Sequence, residues 1–470
     1  MADPAVVQTD AGPVHGTVTD DYRLFQGIPY AAPTAGELRW RPPQPVRPWT
    51  QVRDATRPGP MCPQQPSSYA EVASLAEDCL YLNVVVPGAA GPQRPRPVMV
   101  WIHGDGAIGA GSFFDGRRLA TIGDELVVTI NYRLGIFGAF GYPGLEGSGT
   151  FGLQDQQAAL GWVQRNADAF GGDPGNVTVF GESYGGLSTS AHLVAPGSAG
   201  LFHRAIVQSG FALMDLPAGG IFPGLPAVAW YGWRASAEVE ALGAAVAAQL
   251  GCTGEATALA CLRDRPVQDL FAHAQPFQPY GFGNQVLPEV PAQALRDGRL
   301  HQVPVLSGAT RDEHRLFVGL FRVLAGQPVT AEQYPELLAE AFGEHADQVQ
   351  ATYPLSAYPT PNLAWATVLT DRMWARSTFT QHRLLAQQVP AYAYEFADRQ
   401  APMYLPFPPD FPPGAFHAAE VPYLFPDQQF LAASTPDQRR LSDQMIRYWA
   451  NFARTGDPNG ADLPPWHPFD

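Results

Sequence analysis

Six short runs of almost uninterrupted apolar residues, separated by segments of helical character, constrain the fold of this chain more than any other feature. They cover residues 97–104, 125–133, 177–183, 204–210, 303–310 and 389–396. Such continuous hydrophobicity is typical of strands in a sheet that is covered on both faces. The segment 152–170, which has helical spacing, lies between two of these runs. The alternation predicts an α/β fold in which helices flank a large, mostly parallel sheet.

The segments outside these runs predict how the chain is organised around the sheet. Residues 6–18 contain two short strand-like stretches with a turn between them, so we expect antiparallel pairs at one edge. Residues 211–300 and 314–388 are expected to lie outside the sheet, and the proline-rich segment 403–420 to form a loop. Because we find no internal repeat and no dividing linker, the chain is predicted to form one domain over residues 1–470.

The charge of the chain excludes one class of partner. A net charge of −15 argues against nucleic acid, because binding phosphates requires clustered positive charge. The sequence contains no GxxxxGK phosphate-binding motif. No window of 18 residues is uninterruptedly apolar, so no membrane span is expected.

The four cysteines fall into two pairs that are close in sequence, Cys62 with Cys79 and Cys252 with Cys261. Four cysteines allow three pairings, and pairing between sequence neighbours is the one we favour. Neither pair has Cys-x-x-Cys spacing and no histidine cluster accompanies them, so no metal site is predicted. Disulfides would indicate an oxidising compartment, whereas four free thiols would suit a cytoplasmic enzyme. The first ten residues do not form a signal peptide, and a mature secreted chain or a cytoplasmic one would begin in this way.

The segment FGESYGG, residues 180–186, places Ser183 between an apolar run and a helix-like segment. A sharp strand-to-helix turn on a serine exposes its hydroxyl for attack on a substrate. The alternative is that glycines and serines here only make a turn. The first interpretation requires a base, an orienting carboxylate and donors for an oxyanion elsewhere in the chain.

Candidates for these groups follow the predicted strands in the required order. Asp312 and Glu313 come directly after the run 303–310, and both are also consistent with a solvated loop. His417 lies in the loop that follows the run 389–396, which is where the base is expected. The N–H group of the residue after the serine and the glycine-rich loop 101–112 are candidate oxyanion donors.

These pieces resemble the type-B carboxylesterase/cholinesterase family of α/β-hydrolases, and the resemblance spans nearly the whole chain. The blocks that carry it are residues 25–31, 77–84, 131–138, 152–186, 308–313, 416–425 and 449–466. The resemblance implies the α/β-hydrolase fold, with long insertions over the active site. It also implies a serine carboxylesterase that acts on small-molecule esters and needs no metal or organic cofactor.

Transferred position by position, the resemblance makes Ser183 the nucleophile, Glu313 rather than Asp312 the acid, and His417 the base. Glu182 matches the acidic residue that precedes the serine, where it would bias the charge of the site. The resemblance also supports the disulfides Cys62–Cys79 and Cys252–Cys261, and these favour a secreted chain. It further implies two structural ion pairs, Arg39–Glu77 and Arg133–Asp173.

The loop that supplies oxyanion donors departs from the family pattern. The family sequence is HGGGF or HGGAF, whereas residues 103–107 read HGDGA, and the loop is one residue shorter before GAGS. The expected donors are the N–H groups of Asp105, Gly106 and Tyr184. The carboxylate of Asp105 would oppose an oxyanion, so we expect it to point away or to be paired.

Two substitutions near the expected acyl site predict its selectivity. Ala107 stands where an aromatic residue is usual, and Tyr184 stands where alanine is usual. These changes favour esters with a bulky or polar acid part over simple acetyl esters. The segment between Cys62 and Cys79 contains no tryptophan, which argues against choline esters bound there by cation–π stacking.

The function predicted from the sequence is therefore hydrolysis of carboxylic esters through a Ser-His-Glu triad and an acyl-enzyme intermediate. Hydrolysis of amides or carbamates by the same triad is one alternative. A non-catalytic binding module of the same fold is the other, and the complete triad argues against it. Activity is expected to rise through a pH near 6–7 as His417 becomes neutral.

Overall fold

The computed structural model describes residues 3–67, 71–88, 94–221, 224–254, 256–274 and 276–470. Strands in these residues are β1 (Val6–Gln8), β2 (Pro13–His15), β3 (Thr17–Val18), β4 (Tyr22–Pro29), β5 (Arg53–Asp54), β6 (Tyr81–Pro87), β7 (Arg96–Ile102), β8 (Leu126–Ile130), β9 (Gly172–Glu182), β10 (Arg204–Gln208), β11 (Trp233–Ala235), β12 (Tyr280–Phe282), β13 (Val305–Thr310) and β14 (Ala391–Phe396).

The α-helices of the described residues cover the faces of the sheet and build the segments beyond it. They are α1 (Arg117–Gly123), α2 (Gly135–Ala139), α3 (Phe151–Asn166), α4 (Tyr184–His192), α5 (Ser236–Gln249), α6 (Ala258–Arg263), α7 (Val267–Phe271), α8 (Pro291–Arg296), α9 (Arg315–Val318), α10 (Gln333–Phe342), α11 (Ala346–Thr352), α12 (Pro361–Leu369), α13 (Arg376–Ala386), α14 (Val421–Leu424), α15 (Gln428–Ala433) and α16 (Pro436–Thr455). Within the described ranges, none of these helices is long and apolar enough to cross a membrane.

The central sheet has the order β14-β13-β10-β9-β7-β8-β6-β4-β3. The six strands from β14 to β8 are parallel, and they are the six apolar runs of the sequence. The three strands from β6 to β3 pair antiparallel and form one edge. The prediction of a large, mostly parallel sheet is therefore confirmed.

The faces of the sheet explain why the runs are continuously apolar. Along β7, Val98 and Val100 pack into one buried cluster with residues of α3, whereas Met99 and Trp101 pack into a second cluster with residues of α16. Alternate side chains of one strand thus lie in two different cores, as the pleat requires.

The N-terminal prediction was only partly right. The stretches within residues 6–18 do form an antiparallel pair, β1 with β2, but this pair joins β5 in a separate three-stranded sheet. The antiparallel edge of the central sheet begins instead with β3. Short strands such as these carry too little apolar patterning to specify their partner from sequence.

The two long excursions and the proline-rich loop lie where they were predicted. The described residues of 211–300 add no strand to the central sheet and carry the small parallel pair β11–β12. Residues 314–388 are mainly helical, and residues 403–420 contain neither helix nor strand. Two turns of π-helix, Gly319–Val323 and Thr370–Ala375, interrupt the helices of the second excursion close to the carboxyl ends of the parallel strands.

Both predicted disulfides are present, Cys62–Cys79 and Cys252–Cys261. The predicted ion pair between Arg39 and Glu77 is also present, with two hydrogen bonds of 2.6 Å.

The predicted pair Arg133–Asp173 is wrong. Arg133 binds Asp155 of helix α3 through Nε and Nη2, both at 2.7 Å, and its backbone N–H donates to the same carboxylate. Asp173 instead accepts the N–H of Gly175. Asp155 lies on the helix that packs against the loop containing Arg133. This packing brings the two buried side chains together, and it could not be predicted from their positions in the sequence.

Candidate active site

The turn between β9 and α4 holds Ser183 in a backbone conformation that few non-glycine residues adopt. Its φ is 58° and its ψ is −119°. The N–H of Ser183 donates to Gln208 O at 2.9 Å, and its carbonyl accepts the N–H of Leu187 at 2.9 Å. These two bonds fix the strained backbone, and strain of this kind marks functional sites. The predicted turn from strand to helix on Ser183 is present in the structure.

The glycines of this segment serve close packing rather than flexibility. A Cβ at Gly185 would lie 1.9 Å from the carbonyl oxygen of Ile102, the last residue of β7. A Cβ at Gly186 would lie 2.5 Å from the carbonyl oxygen of Gln208, the last residue of β10. Helix α4 can therefore begin directly against the two strands that flank β9 only because these positions lack side chains.

The side chains of Ser183, His417 and Glu313 meet at the carboxyl ends of the parallel strands. His417 Nε2 lies 2.8 Å from Ser183 Oγ, and His417 Nδ1 lies 2.5 Å from Glu313 Oε2. Glu313 is fully buried and His417 is 4% exposed. A histidine held at one nitrogen by a buried carboxylate can take up a serine proton at the other.

The structure also separates Asp312 from Glu313, the acid that the resemblance favours. Asp312 does not face His417: Arg399 binds both of its oxygens at 2.9 Å, and the N–H of Ala415 donates to it at 3.0 Å. The role of Asp312 is to tie together the loops that follow β13 and β14.

Ser209 is a residue of this site that sequence reasoning missed. Its hydroxyl donates to Glu313 Oε1 at 2.6 Å, and the N–H of Thr310 donates to the same oxygen at 2.9 Å. The Glu313 carboxylate is therefore held by three donors when the ring N–H of His417 is included. The only sequence signal was the position of Ser209, directly after strand β10.

Two further buried carboxylates surround His417. Glu182 Oε1 lies 3.3 Å from His417 Nε2, and Glu420 accepts a hydrogen bond from Gln208 Nε2 at 3.2 Å. Burial raises the pKa of Glu182 well above its usual range and that of Glu420 to about 7. Burial alone would lower the pKa of His417, but the charges of Glu182 and Glu313, the hydrogen bond to Glu313 and the charge of Glu420 raise it to about 9.

The loop after β7 brings the predicted oxyanion donors beside Ser183. Asp105 and Gly106 have φ angles of 73° and 82°. As expected, the Asp105 carboxylate is paired: it accepts the N–H groups of Ala107 at 3.1 Å and Ile108 at 3.2 Å. Within the described ranges, the N–H groups of Asp105 and Tyr184 have no hydrogen-bond acceptor, whereas that of Gly106 donates to Gly104 O at 3.1 Å.

An open pocket of about 520 Å³ adjoins Ser183. Its lining residues are Asp105, Ser183, Tyr184, Leu187, Ser209, Gly210, Met214, Tyr231, Gly232, Gln278, Pro279 and Trp374. The Tyr184 hydroxyl donates to Gln278 O at 2.7 Å, so the polar group that the sequence suggested for substrate binding already has a partner.

Two aromatic rings shield the imidazole of His417. The centroids of Trp374 and Phe317 lie 4.7 Å and 5.1 Å from it. Trp374 belongs to the π-helical turn Thr370–Ala375, and its indole N–H donates to Nδ1 of the buried His314 at 3.1 Å. Among the described residues, no group of three or more His, Cys, Asp or Glu side chains is arranged to hold a metal ion.

The whole chain is similar to known esterases. A family model described as the carboxylesterase family matches residues 3–470. The para-nitrobenzyl esterase of Bacillus subtilis (strain 168) is 34% identical over 480 residues, which cover 98% of this chain and 92% of that protein. The cocaine esterase of Oryctolagus cuniculus is 34% identical over 492 residues, covering 98% of this chain and 87% of that protein.

The fold agrees with these similarities. The solved structure of a thermophilic PNB esterase has a TM-score of 0.81 to this chain and 32% identity. The match covers 99% of this chain and 94% of that one. The nine-stranded sheet and its helices are thus those of an α/β-hydrolase.

Proposed function

Because this chain belongs to the carboxylesterase family and is a carboxylic-ester hydrolase, we propose that it acts through a covalent acyl-enzyme on Ser183. In this proposal His417 is the general base, and Glu313 orients it and balances its positive charge. The proposal depends most on one observation, the pair of contacts that His417 makes to Ser183 Oγ and Glu313 Oε2.

Acylation begins when Ser183 Oγ attacks the ester carbonyl carbon. The hydroxyl proton passes to His417 Nε2, and the carbonyl oxygen becomes an oxyanion. When the tetrahedral intermediate collapses, the bond to the alcohol oxygen breaks and His417 returns the proton to that oxygen. Water then attacks the acyl carbon with its proton taken up by His417, which releases the acid and restores the serine.

The oxyanion is stabilised by backbone N–H groups in this scheme. Tyr184 and Asp105 offer N–H groups without another acceptor in the described part of the chain, which supports their assignment. Gly106 is the third expected donor, and it must give up or share its bond to Gly104 O to take part. One such donor typically contributes about a hundred- to a thousandfold in turnover.

The acid limb of the pH profile tests the histidine base. Only the neutral ring accepts a proton, so kcat/KM should rise with pH through the pKa of His417. Since the surrounding carboxylates raise this pKa to about 9, we expect the midpoint to lie above the ordinary value of about 6.5. This expected midpoint is higher than the pH of 6–7 expected from the sequence, which gave no sign that Glu420 lies close to the ring.

The same profile measured on Glu182→Gln should move to lower pH. Glu182 is the largest electrostatic cause of the raised pKa of His417, so its removal should lower the midpoint. Glu344→Gln, at a side chain that is 88% exposed, is the control and should leave the midpoint in place. A flat wild-type profile would contradict a histidine base. An unmoved midpoint in Glu182→Gln would show that the Glu182 charge does not raise the pKa of His417.

We also propose a preference for esters with an acid part larger than acetyl. Ala107 leaves room where the family has an aromatic residue, and Leu187, Met214 and Trp374 give the pocket an apolar wall. Each buried methylene contributes about 0.8 kcal/mol, so p-nitrophenyl butyrate should exceed p-nitrophenyl acetate in kcat/KM by about tenfold. Because both esters release p-nitrophenol, the leaving group is the same in the two reactions and only the acid part differs. Rates on p-nitrophenyl acetate that exceed those on every larger ester would contradict this preference. Matched amides and carbamates, assayed alongside the esters, test whether the same triad hydrolyses those bonds instead.

The disulfides support a further part of the proposal, namely that the protein is located outside the reducing cytoplasm. All four cysteines are paired in the structure. Such pairs persist in oxidising compartments, which supports a secreted protein.

A further inference from the structure

The Asp105 carboxylate faces the same pocket as Ser183, and only part of it is used by the protein. Its Oδ1 accepts both backbone N–H groups, those of Ala107 and Ile108. Its Oδ2 has no hydrogen-bond partner among the residues that the structure describes. Asp105 is an exposed residue that lines the pocket, and partial desolvation there raises the pKa of its carboxyl group. A carboxylate oxygen is therefore available to a molecule bound at Ser183.

Among the described residues that line the pocket, no side chain carries a positive charge that would neutralise this carboxylate. The described lining residues include no arginine and no histidine. His103 precedes Asp105 by two residues, but burial lowers the pKa of His103 to about 4, so it carries no positive charge. The aromatic residues Tyr184, Tyr231 and Trp374 also line the pocket. Aromatic faces and a carboxylate together form an environment that favours a cation.

We propose that Asp105 binds a protonated amine on the ester substrate, so that amine-bearing esters are a preferred substrate class. The inference rests on the proposed acylation of Ser183. The net charge of −15 acts in the same direction, because it attracts cationic substrates over longer distances.

The hydrogen-bonding chemistry narrows the class further. A primary, secondary or tertiary ammonium group carries an N–H that can donate to Oδ2, and such charge-assisted bonds are stronger than neutral ones. A quaternary ammonium group has no N–H and can use only charge and the aromatic faces. The preference should therefore be larger for protonated amines than for choline esters.

The position of Asp105 in the oxyanion loop adds a catalytic consequence. Its carboxylate charge, which no cation among the described lining residues balances, opposes the oxyanion that forms during acylation, and a bound ammonium group offsets that charge. The amine-bearing substrate thus supplies a positive charge that the protein lacks at this point. For neutral esters, the Asp105 charge should be unhelpful or adverse.

The test compares three butyrate esters on wild type and Asp105→Asn. Dimethylaminoethyl butyrate carries the protonated amine, isopentyl butyrate is its neutral isostere, and butyrylcholine is the quaternary case. Asparagine keeps an oxygen for the N–H groups of Ala107 and Ile108 and tolerates a φ of 73°. Asp105→Gly is the second variant, because glycine adopts this φ freely and carries no side chain.

The ratio of kcat/KM for the amine ester to that for its neutral isostere should fall about tenfold or more in both variants. The ratio for butyrylcholine should fall less. In Glu344→Gln, which changes the net charge equally at an exposed site, both ratios should stay as in wild type. Unchanged ratios in Asp105→Asn and Asp105→Gly would overturn the assignment of Asp105 as the amine-binding residue. The proposed esterase function would still stand in that case, provided that the wild-type protein hydrolyses the neutral ester. If Ser183→Ala still hydrolysed isopentyl butyrate, the proposed function itself would fail.

Discussion

Ser183→Ala is expected to lower kcat for p-nitrophenyl butyrate by roughly 10⁵- to 10⁶-fold, as removal of the nucleophile does in other serine hydrolases. Without the Oγ, no covalent intermediate forms, and the remaining oxyanion donors and binding contacts supply only a small residual rate. Turnover is measured by release of nitrophenol under conditions where the spontaneous rate is subtracted.

The same variant should remain folded. The Ser183 hydroxyl is bonded to His417, and serine and alanine bear similar strain at a φ of 58°. The free energy of unfolding should therefore change by no more than about 1 kcal/mol, measured by denaturant unfolding. A folded Ser183→Ala protein that keeps most of its activity would contradict the nucleophile assignment.

Glu313→Gln is expected to lower kcat by about 10³- to 10⁴-fold, although the two side chains have nearly the same shape. The N–H of Thr310 is a fixed donor, so it holds the amide oxygen at the position of Oε1. The amide NH₂ then faces His417 Nδ1 and forces the ring into the tautomer that carries hydrogen on Nε2. That tautomer cannot accept the Ser183 proton, and the imidazolium also loses its buried counter-charge.

Ser209→Ala is the matched control for this prediction. It removes one neutral donor to Glu313 Oε1 and keeps the carboxylate charge. The decrease in kcat should correspond to the loss of one hydrogen bond to a charged group, which is about 10- to 100-fold. If Glu313→Gln lost no more activity than Ser209→Ala, the charge of Glu313 would not be needed to orient and stabilise His417, and Glu313 would have only a structural role.

The strands could be predicted from sequence because both of their faces are buried. A run such as 97–104 is apolar at nearly every position because neighbouring side chains such as Val98 and Met99 enter different cores. The order of serine, acid and histidine was equally accessible, since each follows a predicted strand. The residues alone did not distinguish Glu313 from Asp312, because both follow the same strand. The choice of Glu313 came from the family resemblance, and the fold adds that Asp312 is bound by Arg399.

The charges around the site were the least predictable part. Glu420 and Glu182 lie in different segments, and their joint effect on His417 depends on burial that no local pattern reports. The partner of Arg133 was wrong for the same reason, because Asp155 reaches it only through the packing of α3. The two environments of Asp105, hydrogen bonds to its own loop and a place in the pocket wall, also become visible only in three dimensions.

Covalent labelling with a fluorophosphonate tests the central claim most directly, that Ser183, His417 and Glu313 act together as one nucleophilic site. Such a reagent requires an activated serine hydroxyl, and peptide mass spectrometry locates the modified residue. We expect one label per chain, on the peptide that contains Ser183, with loss of ester hydrolysis in proportion to labelling. A label on another residue, or full hydrolysis by a protein labelled at Ser183, would contradict the claim.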